Sequence, residues 1–176
     1  MSAHQKTIML ALGGARSGKT AYAEAEALAR AEAGKKPLYV ATGQAFDDEM
    51  RARIDRHREL RSDRFTTIEE PLDLVQVLTS AAADEILLID SIGVWITNHM
   101  MAEHDLEEVI DKTIKALIAS KASVVLVSDE IGMGIVPEGA MSRAFRDHIG
   151  MMNQRVAETA DKVAFLVAGL PMMIKE

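Results

Sequence analysis

Short apolar runs rich in β-branched residues alternate along the chain with longer amphipathic stretches. The runs predict strands over residues 7–12, 37–41, 65–68, 85–89, 123–128, 162–168 and 172–175. Helical spacing predicts helices over residues 19–33, 47–60, 72–83, 93–101, 105–120 and 142–159. Gly34 is positioned to end the first helix as a C-cap, and Asp47 to begin the second as an N-cap.

Strands that alternate with helices are typical of an α/β fold with a mostly parallel sheet. We therefore predict a doubly wound sheet flanked by helices. The 176 residues are enough for one hydrophobic core, and no internal repeat or linker divides them. The sequence thus predicts a single domain over residues 1–176.

Composition narrows the classes of function. The net charge of −7 argues against broad nucleic-acid binding, which needs a basic surface. No apolar run approaches the roughly 18 residues that span a membrane, and the N-terminus has no signal-peptide pattern. Without cysteine there is neither a disulfide framework nor a thiolate metal site. We expect a cytoplasmic protein that concentrates positive charge locally if it binds phosphates.

Residues 13–20 match the phosphate-loop pattern G-x-x-x-x-G-K-[ST] at every fixed position. Gly13 and Gly18 allow the backbone to approach phosphate oxygens, and the following helix adds its positive end. Lys19 can reach the β- and γ-phosphates, and the Thr20 hydroxyl is suited to Mg²⁺. The alternative is a glycine turn that merely caps a strand. The motif lies between a predicted strand and a predicted helix, which favours a P-loop NTPase-like fold.

Two predicted strands end in acidic residues. Asp90 follows one apolar strand, and Asp129 with Glu130 follows another. Ligands collect at the carboxyl ends of parallel strands, so these carboxylates are candidates for holding Mg²⁺. The alternative is that each acid caps the next helix or turn. The pattern favours Asp90 as the magnesium ligand and leaves both interpretations open for Asp129 and Glu130.

A second concentration of positive charge lies on the predicted helix over 47–60. His57 lies near the edge of its apolar stripe, with Arg53 and Arg61 four residues away on either side. Nearby positive charge disfavours imidazolium, so a neutral, nucleophilic imidazole is one interpretation. The other is a solvated charged helix face with an incidental histidine.

The chain resembles the bifunctional adenosylcobinamide kinase/adenosylcobinamide-phosphate guanylyltransferases of cobalamin biosynthesis. The resemblance spans about residues 7–175. It rests on the phosphate loop and on segments 39–42, 47–50, 53–57, 97–98, 127–137, 145–147 and 153–155. The stretch Glu-Ile-Gly-Met-Gly-Ile-Val-Pro at 130–137 and the Arg-Ile-x-x-His spacing are more specific than a phosphate loop alone.

The resemblance implies two reactions. A nucleoside triphosphate, ATP or GTP, phosphorylates the corrinoid substrate adenosylcobinamide. GMP from GTP is then transferred through a covalent guanylyl-histidine, and the matching position is His57. It also implies a homotrimer, and catalytic roles for His57 and Lys19 with Mg²⁺ at Thr20 and Asp90. The implied nucleotide contacts are Gly13, Gly14, Ala15, Arg16, Ser17, Gly18, Lys19, Thr20, Ala41, Thr42, Gly43, Arg58, Glu59, Leu60, Arg61, Glu69 and Asp90.

Two other functions fit the phosphate loop. A kinase for another small alcohol would leave His57 with a structural role. A GTPase-like switch would need a guanine-reading Asn-Lys-x-Asp segment, which the sequence lacks. The arginine-flanked histidine within a match along nearly the whole chain favours the bifunctional enzyme. Glu70 is adjacent to Glu69, and either could match the implied contact.

Overall fold

The computed structural model describes residues 5–44, 59, 61 and 63–176. Their strands form a seven-stranded sheet in the order β3-β2-β4-β5-β1-β6-β7. All neighbouring strands are parallel except β7, which is antiparallel to β6. The mostly parallel α/β fold is thus confirmed. The strands are β1 Ile8–Gly13, β2 Leu38–Ala41, β3 Thr66–Glu69, β4 Ile86–Asp90, β5 Ser123–Asp129, β6 Lys162–Val167 and β7 Leu170–Lys175.

Several helices begin where short polar side chains cap them. The carboxylates of Asp73 and Asp105 and the hydroxyl of Ser91 each accept a hydrogen bond from the backbone N–H three residues ahead. The helices of the described residues are α1 Lys19–Arg30, α2 Leu74–Ser80, α3 Ile92–Met101, α4 Leu106–Ala119 and α5 Ala140–Thr159. The predicted helix over 47–60, with its Asp47 cap, lies outside the described residues except for Glu59.

Two predicted helices are longer than the helices in the structure. Helix α1 stops at Arg30, because Ala31 is extended and its N–H bonds to the Leu28 carbonyl. Gly34, predicted to cap this helix, has a φ of +85° and lies in the turn that follows. Helix α2 is shorter than predicted because Asp73 caps it and Ala81 is already extended. Strands β4 and β5 each run one residue further than predicted, so they include Asp90 and Asp129.

The sheet separates two apolar layers, because successive strand residues point to opposite faces. On one face, side chains such as Leu10, Leu87 and Val124 pack against Trp95 and the other buried residues of α2 to α5. On the other face, residues such as Met9, Leu88 and Val125 pack against Ala23 and Ala27 of α1. Small alanines let α1 lie close to the sheet. Burial on both faces explains why the central strands are almost wholly apolar.

Parallel pairing brings the polar strand ends to one edge of the sheet. Gly13 at the end of β1 pairs with Asp129 at the end of β5. Asp90 at the end of β4 pairs with Ala41 of β2 and with Val127 of β5. This edge is also where α1 begins, and it holds the candidate site. Within the described ranges, no helix has the length and apolar character required to cross a bilayer.

Candidate nucleotide-binding site

The phosphate loop is a tight turn between β1 and α1. The Ser17 N–H donates to the Gly14 carbonyl at 3.3 Å, and Gly18 has a φ of +92°. A Cβ on Gly18 would lie 3.0 Å from the Gly169 Cα, and one on Gly13 would collide with the Ser17 side chain. Gly18 is therefore favoured by its positive φ, and Gly13 by the lack of space for a side chain. Ala15 and Arg16 are exposed in this turn.

The Lys19 side chain folds back over this loop. Its Nζ lies 2.8 Å from Asp129 Oδ1 and donates to the Gly14 carbonyl at 3.0 Å. The side chain is only 12% exposed, so the ion pair is partly shielded from water. Asp129 Oδ2 is close to α3, because a Cβ added to Gly93 would lie 2.5 Å from it. Glycine at position 93 therefore makes room for the carboxylate that pairs with Lys19.

Asp90 forms a second cluster with Thr20 and Tyr39. Asp90 Oδ2 accepts from the Thr20 hydroxyl at 3.1 Å and from the Tyr39 hydroxyl at 2.5 Å. Burial, followed by the charge of Asp90 and the hydrogen bond to it, raises the pKa of Tyr39 well above its ordinary value. Tyr39 is therefore a neutral phenol that donates a hydrogen bond to Asp90. The cluster holds one carboxylate and one aliphatic hydroxyl side by side.

A groove of about 540 Å³ opens beside this cluster. Its walls combine hydroxyl, acidic and guanidinium groups with one methyl group, and the lining residues are Thr20, Ala21, Glu24, Tyr39, Arg61, Arg64 and Asp90. The Arg61 guanidinium carbon lies 3.7 Å from the centre of the Tyr39 ring, in cation–π contact. Arg64 Nη2 lies 3.3 Å from Glu24 Oε2. The groove thus joins the phosphate loop to two arginines, a suitable lining for an anionic ligand.

The other predicted contacts on β2 lie next to Asp90. Ala41 pairs with Asp90, and the Thr42 N–H donates to the Asp90 carbonyl at 3.2 Å. The Thr42 side chain is fully buried, and its hydroxyl exchanges hydrogen bonds with the Ser91 backbone at 2.8 and 2.9 Å. Thr42 therefore holds the start of α3 in place. Gly43, half-buried, continues the chain beyond it.

The two adjacent glutamates at the end of β3 differ in their surroundings. Glu69 is exposed and pairs with Ala41, at the sheet edge that holds the site. Glu70 accepts hydrogen bonds from the N–H groups of Leu72 and Asp73 at 3.0 and 2.7 Å, so its carboxylate stabilises a turn. This role of Glu70 favours Glu69 as the match to the implied contact. Glu59 is also exposed, and His57, Arg58 and Leu60 lie outside the described residues.

The alternative that each acid at a strand end caps the next helix or turn holds for Glu130, but not for the carboxylates of Asp90 and Asp129. Ser91, rather than Asp90, caps α3, so the Asp90 carboxylate is left for Thr20 and Tyr39. Asp129 contacts Lys19, whereas Glu130 accepts from the Gly132 N–H at 2.6 Å and stabilises the turn after β5. The carboxylates of Asp90 and Asp129 are therefore grouped with the phosphate-loop side chains Thr20 and Lys19, and the Glu130 carboxylate supports a turn.

Sequence reasoning did not assign individual roles to several residues that shape the site. Asn153 accepts from Ser128 at 2.6 Å and donates to the Asp129 carbonyl at 3.0 Å, which anchors the end of β5 to α5. Asn98 donates to the carbonyls of Thr42 and Pro71 at 2.8 and 3.0 Å. Both asparagines are buried polar residues within helices. The sequence signal that could have identified them is helical spacing, because Asn98 follows Trp95 by three residues and Asn153 follows Ile149 by four, on the apolar face of each helix.

The donor set at Thr20 and Asp90 fits Mg²⁺. Both side chains offer hard oxygen atoms, and they lie within hydrogen-bond distance of each other. Over the described ranges, no group of three or more His, Cys, Asp or Glu side chains is arranged to hold a metal ion. Magnesium bound here would therefore share its coordination between these two residues, water and nucleotide phosphates, as is usual for this ion.

Comparison with known proteins gives a match along nearly the whole chain. The family described as cobinamide kinase / cobinamide phosphate guanyltransferase matches residues 9–174. The bifunctional adenosylcobalamin biosynthesis protein CobP of Pseudomonas aeruginosa is 42% identical over 169 residues, covering 94% of this chain and 96% of that protein. The protein CobU of Salmonella typhimurium, with the same description, is 41% identical over 186 residues, covering 96% and 99%.

Solved structures resemble the fold at much lower identity. The flagellar accessory protein FlaH from Methanocaldococcus jannaschii aligns with a TM-score of 0.53 and 12% identity, covering 96% of this chain and 78% of that one. A solved ATPase domain aligns with a TM-score of 0.51 and 12% identity, covering 91% and 69%. These similarities support the P-loop NTPase-like fold.

Proposed function

This chain belongs to the cobinamide kinase / cobinamide phosphate guanyltransferase family, and we propose that it catalyses both reactions. It phosphorylates adenosylcobinamide with ATP or GTP. It then transfers GMP from GTP, through a guanylylated His57, to give adenosylcobinamide-GDP. One observation carries the proposal: a complete phosphate loop whose Lys19 and Thr20 each contact a strand-end carboxylate.

The kinase step needs positioning and charge neutralisation more than covalent chemistry. The loop N–H groups and Lys19 hold the β- and γ-phosphates. A hydroxyl oxygen of the corrinoid side arm attacks the γ-phosphorus and its proton is released to solvent. The bond from the γ-phosphorus to the oxygen that bridges to the β-phosphate breaks, and the nucleoside diphosphate leaves. The described geometry supports this role, because Lys19 already reaches across the loop to the Gly14 carbonyl.

Thr20 and Asp90 are the residues that would hold Mg²⁺. The ion would neutralise phosphate charge when bound there. The contribution of the protein is to keep the hydroxyl and the carboxylate adjacent, which the hydrogen bond between them at 3.1 Å accomplishes. Tyr39 restrains the same carboxylate oxygen through a second hydrogen bond.

The transferase step is nucleophilic catalysis. An imidazole nitrogen of His57 attacks the α-phosphorus of GTP, and the bond to pyrophosphate breaks. An oxygen of the corrinoid phosphate then attacks the same phosphorus and breaks the phosphorus–nitrogen bond, which regenerates the imidazole. His57 lies outside the described residues, so its role rests on the family match. Arg61, four residues further along the chain, lines the groove beside Asp90. This supports a role for this part of the chain in binding the nucleotide.

The corrinoid is a large, partly apolar substrate that needs an apolar contact surface. We also assign the chain to a homotrimer because of the same family resemblance, and a trimer needs contacts between subunits. Exposed apolar side chains are available for either contact. They lie on the loop after β5, where Met133 and Ile135 are 79% and 98% exposed, and on β7, where Leu170 is 71% exposed. Light scattering should give three times the mass of one chain.

The covalent intermediate provides the decisive test. The wild-type protein is incubated with Mg²⁺ and GTP labelled at the α-phosphate, beside the variants His57→Ala and His148→Ala, and retained label is counted after denaturation. We expect acid-labile, alkali-stable label on the wild type and on His148→Ala, and none on His57→Ala. Wild-type protein that binds GTP but retains no label would rule out the covalent mechanism. A kinase without transferase activity would then become the better description.

A further inference from the structure

We propose that Tyr39 is a positioning residue, whose hydroxyl orients the Asp90 carboxylate and whose ring holds the Arg61 guanidinium. It would thereby connect the phosphate-loop wall of the groove to its arginine wall. The inference rests on the proposed function, in which Asp90 lies beside Mg²⁺. It adds a residue for which neither the phosphate-loop motif nor the implied nucleotide contacts provides a role.

Two hydroxyl groups converge on one oxygen atom of Asp90. The hydroxyls of Tyr39 and Thr20 both donate to Asp90 Oδ2, at 2.5 and 3.1 Å. A carboxylate is planar and its two oxygen atoms are rigidly joined, so fixing one oxygen restricts the orientation of the other. Hydrogen bonds of this kind to a ligating carboxylate commonly tune metal affinity.

Packing alone does not require a hydroxyl group at position 39. Tyr39 is 3% exposed, and its ring meets Phe65 edge to face at 5.8 Å between centroids. Phenylalanine would fill the same space without the cost of burying a polar group. The hydrogen bond to Asp90 offsets that cost, so a role for the hydroxyl lies in this contact.

The face of the Tyr39 ring contacts Arg61. The Arg61 guanidinium lies 3.7 Å from the ring centre, and Arg61 also lines the groove with Asp90. A cation held on an aromatic face is restricted in position. The hydroxyl and the ring therefore have separable roles, one toward the metal ligand and one toward the arginine.

Two substitutions of Tyr39 test the hydroxyl and the ring separately. Tyr39→Phe keeps the ring on Arg61 and removes only the hydroxyl. Tyr39→Leu removes both. Tyr22→Phe is the matched control, because the Tyr22 hydroxyl contacts Met173 Sδ at 3.8 Å and lies outside the Asp90 cluster. Thermal unfolding of each variant establishes that it is folded before any binding is measured.

The measurements are Mn²⁺ binding by electron paramagnetic resonance in the presence of a non-hydrolysable GTP analogue, and binding of the analogue in EDTA. For Tyr39→Phe we expect Mn²⁺ affinity and kinase kcat each to fall about ten-fold, with analogue binding in EDTA unchanged. For Tyr39→Leu we expect analogue binding in EDTA to weaken about three-fold as well, because the arginine loses its aromatic support. Tyr22→Phe should match the wild type in every measurement.

A double-variant cycle tests whether Tyr39 acts through Asp90. In an Asp90→Asn background, Tyr39→Phe should cause less than about a two-fold further change in Mn²⁺ affinity, because the group that it orients is already altered. A full ten-fold further loss would overturn the proposal, as would wild-type Mn²⁺ affinity in Tyr39→Phe itself. If wild-type protein fails the labelling test yet Mn²⁺ affinity still depends on Tyr39, the proposed transferase fails and the positioning role stands.

Discussion

The Lys19 ammonium group lies 2.8 Å from the Asp129 carboxylate, at the mouth of the phosphate loop. The pair joins the first residue of α1 to the last residue of β5, and β5 lies directly beside the strand that leads into the loop. Asp129 therefore neutralises the cation to which the proposed function assigns phosphate binding. A phosphate that binds Lys19 competes with this carboxylate, and a negative charge at position 129 also repels it.

Removing the negative charge of Asp129 should strengthen nucleotide binding. We expect Asp129→Asn to bind GTP about five-fold more tightly in EDTA, on the order of 1 kcal/mol, because the competing charge is lost while a hydrogen-bonding side chain remains. Isothermal titration calorimetry measures the dissociation constant directly. EDTA excludes any contribution of metal coordination to the difference.

The matched control for this charge change is Asp147→Asn. Asp147 is 68% exposed and pairs with Arg146 on α5, so it carries the same charge in a different setting. It should leave the dissociation constant within about two-fold of the wild type, as expected for a surface pair. Unchanged or weaker binding by Asp129→Asn would show that the carboxylate does not oppose phosphate binding.

Gly93 should tolerate no side chain. A Cβ there would lie 2.5 Å from Asp129 Oδ2 and 3.3 Å from Ile149 Cδ1, so the carboxylate must rotate away from Lys19 or α3 must shift. We expect Gly93→Ala to lower the free energy of unfolding by about 1–3 kcal/mol, as for other overpacked sites. Urea unfolding is followed by the fluorescence of Trp95, the single tryptophan of the chain, which is fully buried.

Gly150 offers a matched control within a helix. It lies inside α5, and a Cβ there would meet no atom within 4 Å. Gly150→Ala should raise the free energy of unfolding by about 0.5–1 kcal/mol, because alanine loses less backbone entropy in a helix than glycine does. Equal stability of the two variants would contradict the close approach between α3 and Asp129.

His99 should make the protein less stable in acid. Its Nε2 lies 3.1 Å from the Leu72 carbonyl, which can only accept, so Nε2 carries the hydrogen. Its Nδ1 lies 2.8 Å from His104 Nδ1 and accepts from it when neutral. Burial lowers the pKa of His99 from its ordinary value of 6.5, and the nearby charge of His104 adds to this shift, while the hydrogen bond to Leu72 opposes it.

The sign of the pH dependence follows from where the proton binds. Between the lowered folded pKa of His99 and 6.5, the unfolded chain binds a proton that the folded chain excludes. The contribution of His99 to stability is therefore complete above that range and is lost as the pH falls through it, with a slope of at most about 1.4 kcal/mol per pH unit. Urea unfolding followed by circular dichroism, from neutral pH down to about pH 5, measures the slope.

A variant without the imidazole of His99 tests whether this residue causes the pH dependence of stability. His99→Gln should flatten the slope below the ordinary pKa of 6.5, whatever its effect on absolute stability. An identical slope in His99→Gln and the wild type would exclude His99 as its source.

Several features were determined by the sequence alone because they depend on neighbouring residues. The phosphate loop is one of these: its fixed glycines, lysine and threonine all lie within residues 13–20, and local backbone geometry shapes the turn. The mostly parallel sheet is another, because burial on both faces makes a central strand such as β5 continuously apolar. The acids at the ends of β4 and β5 were visible in the same way.

Tertiary structure decided which residues meet. The strand order places β5 between β1 and β4, so Asp129 pairs with Lys19 while Asp90 pairs with Thr20. No local pattern distinguishes these pairings, because strand order depends on the packing of the whole sheet and its helices. The contact of Tyr39 with Asp90 joins residues 51 positions apart for the same reason. Sequence periodicity specifies the face of a strand, and only the assembled sheet specifies its neighbour.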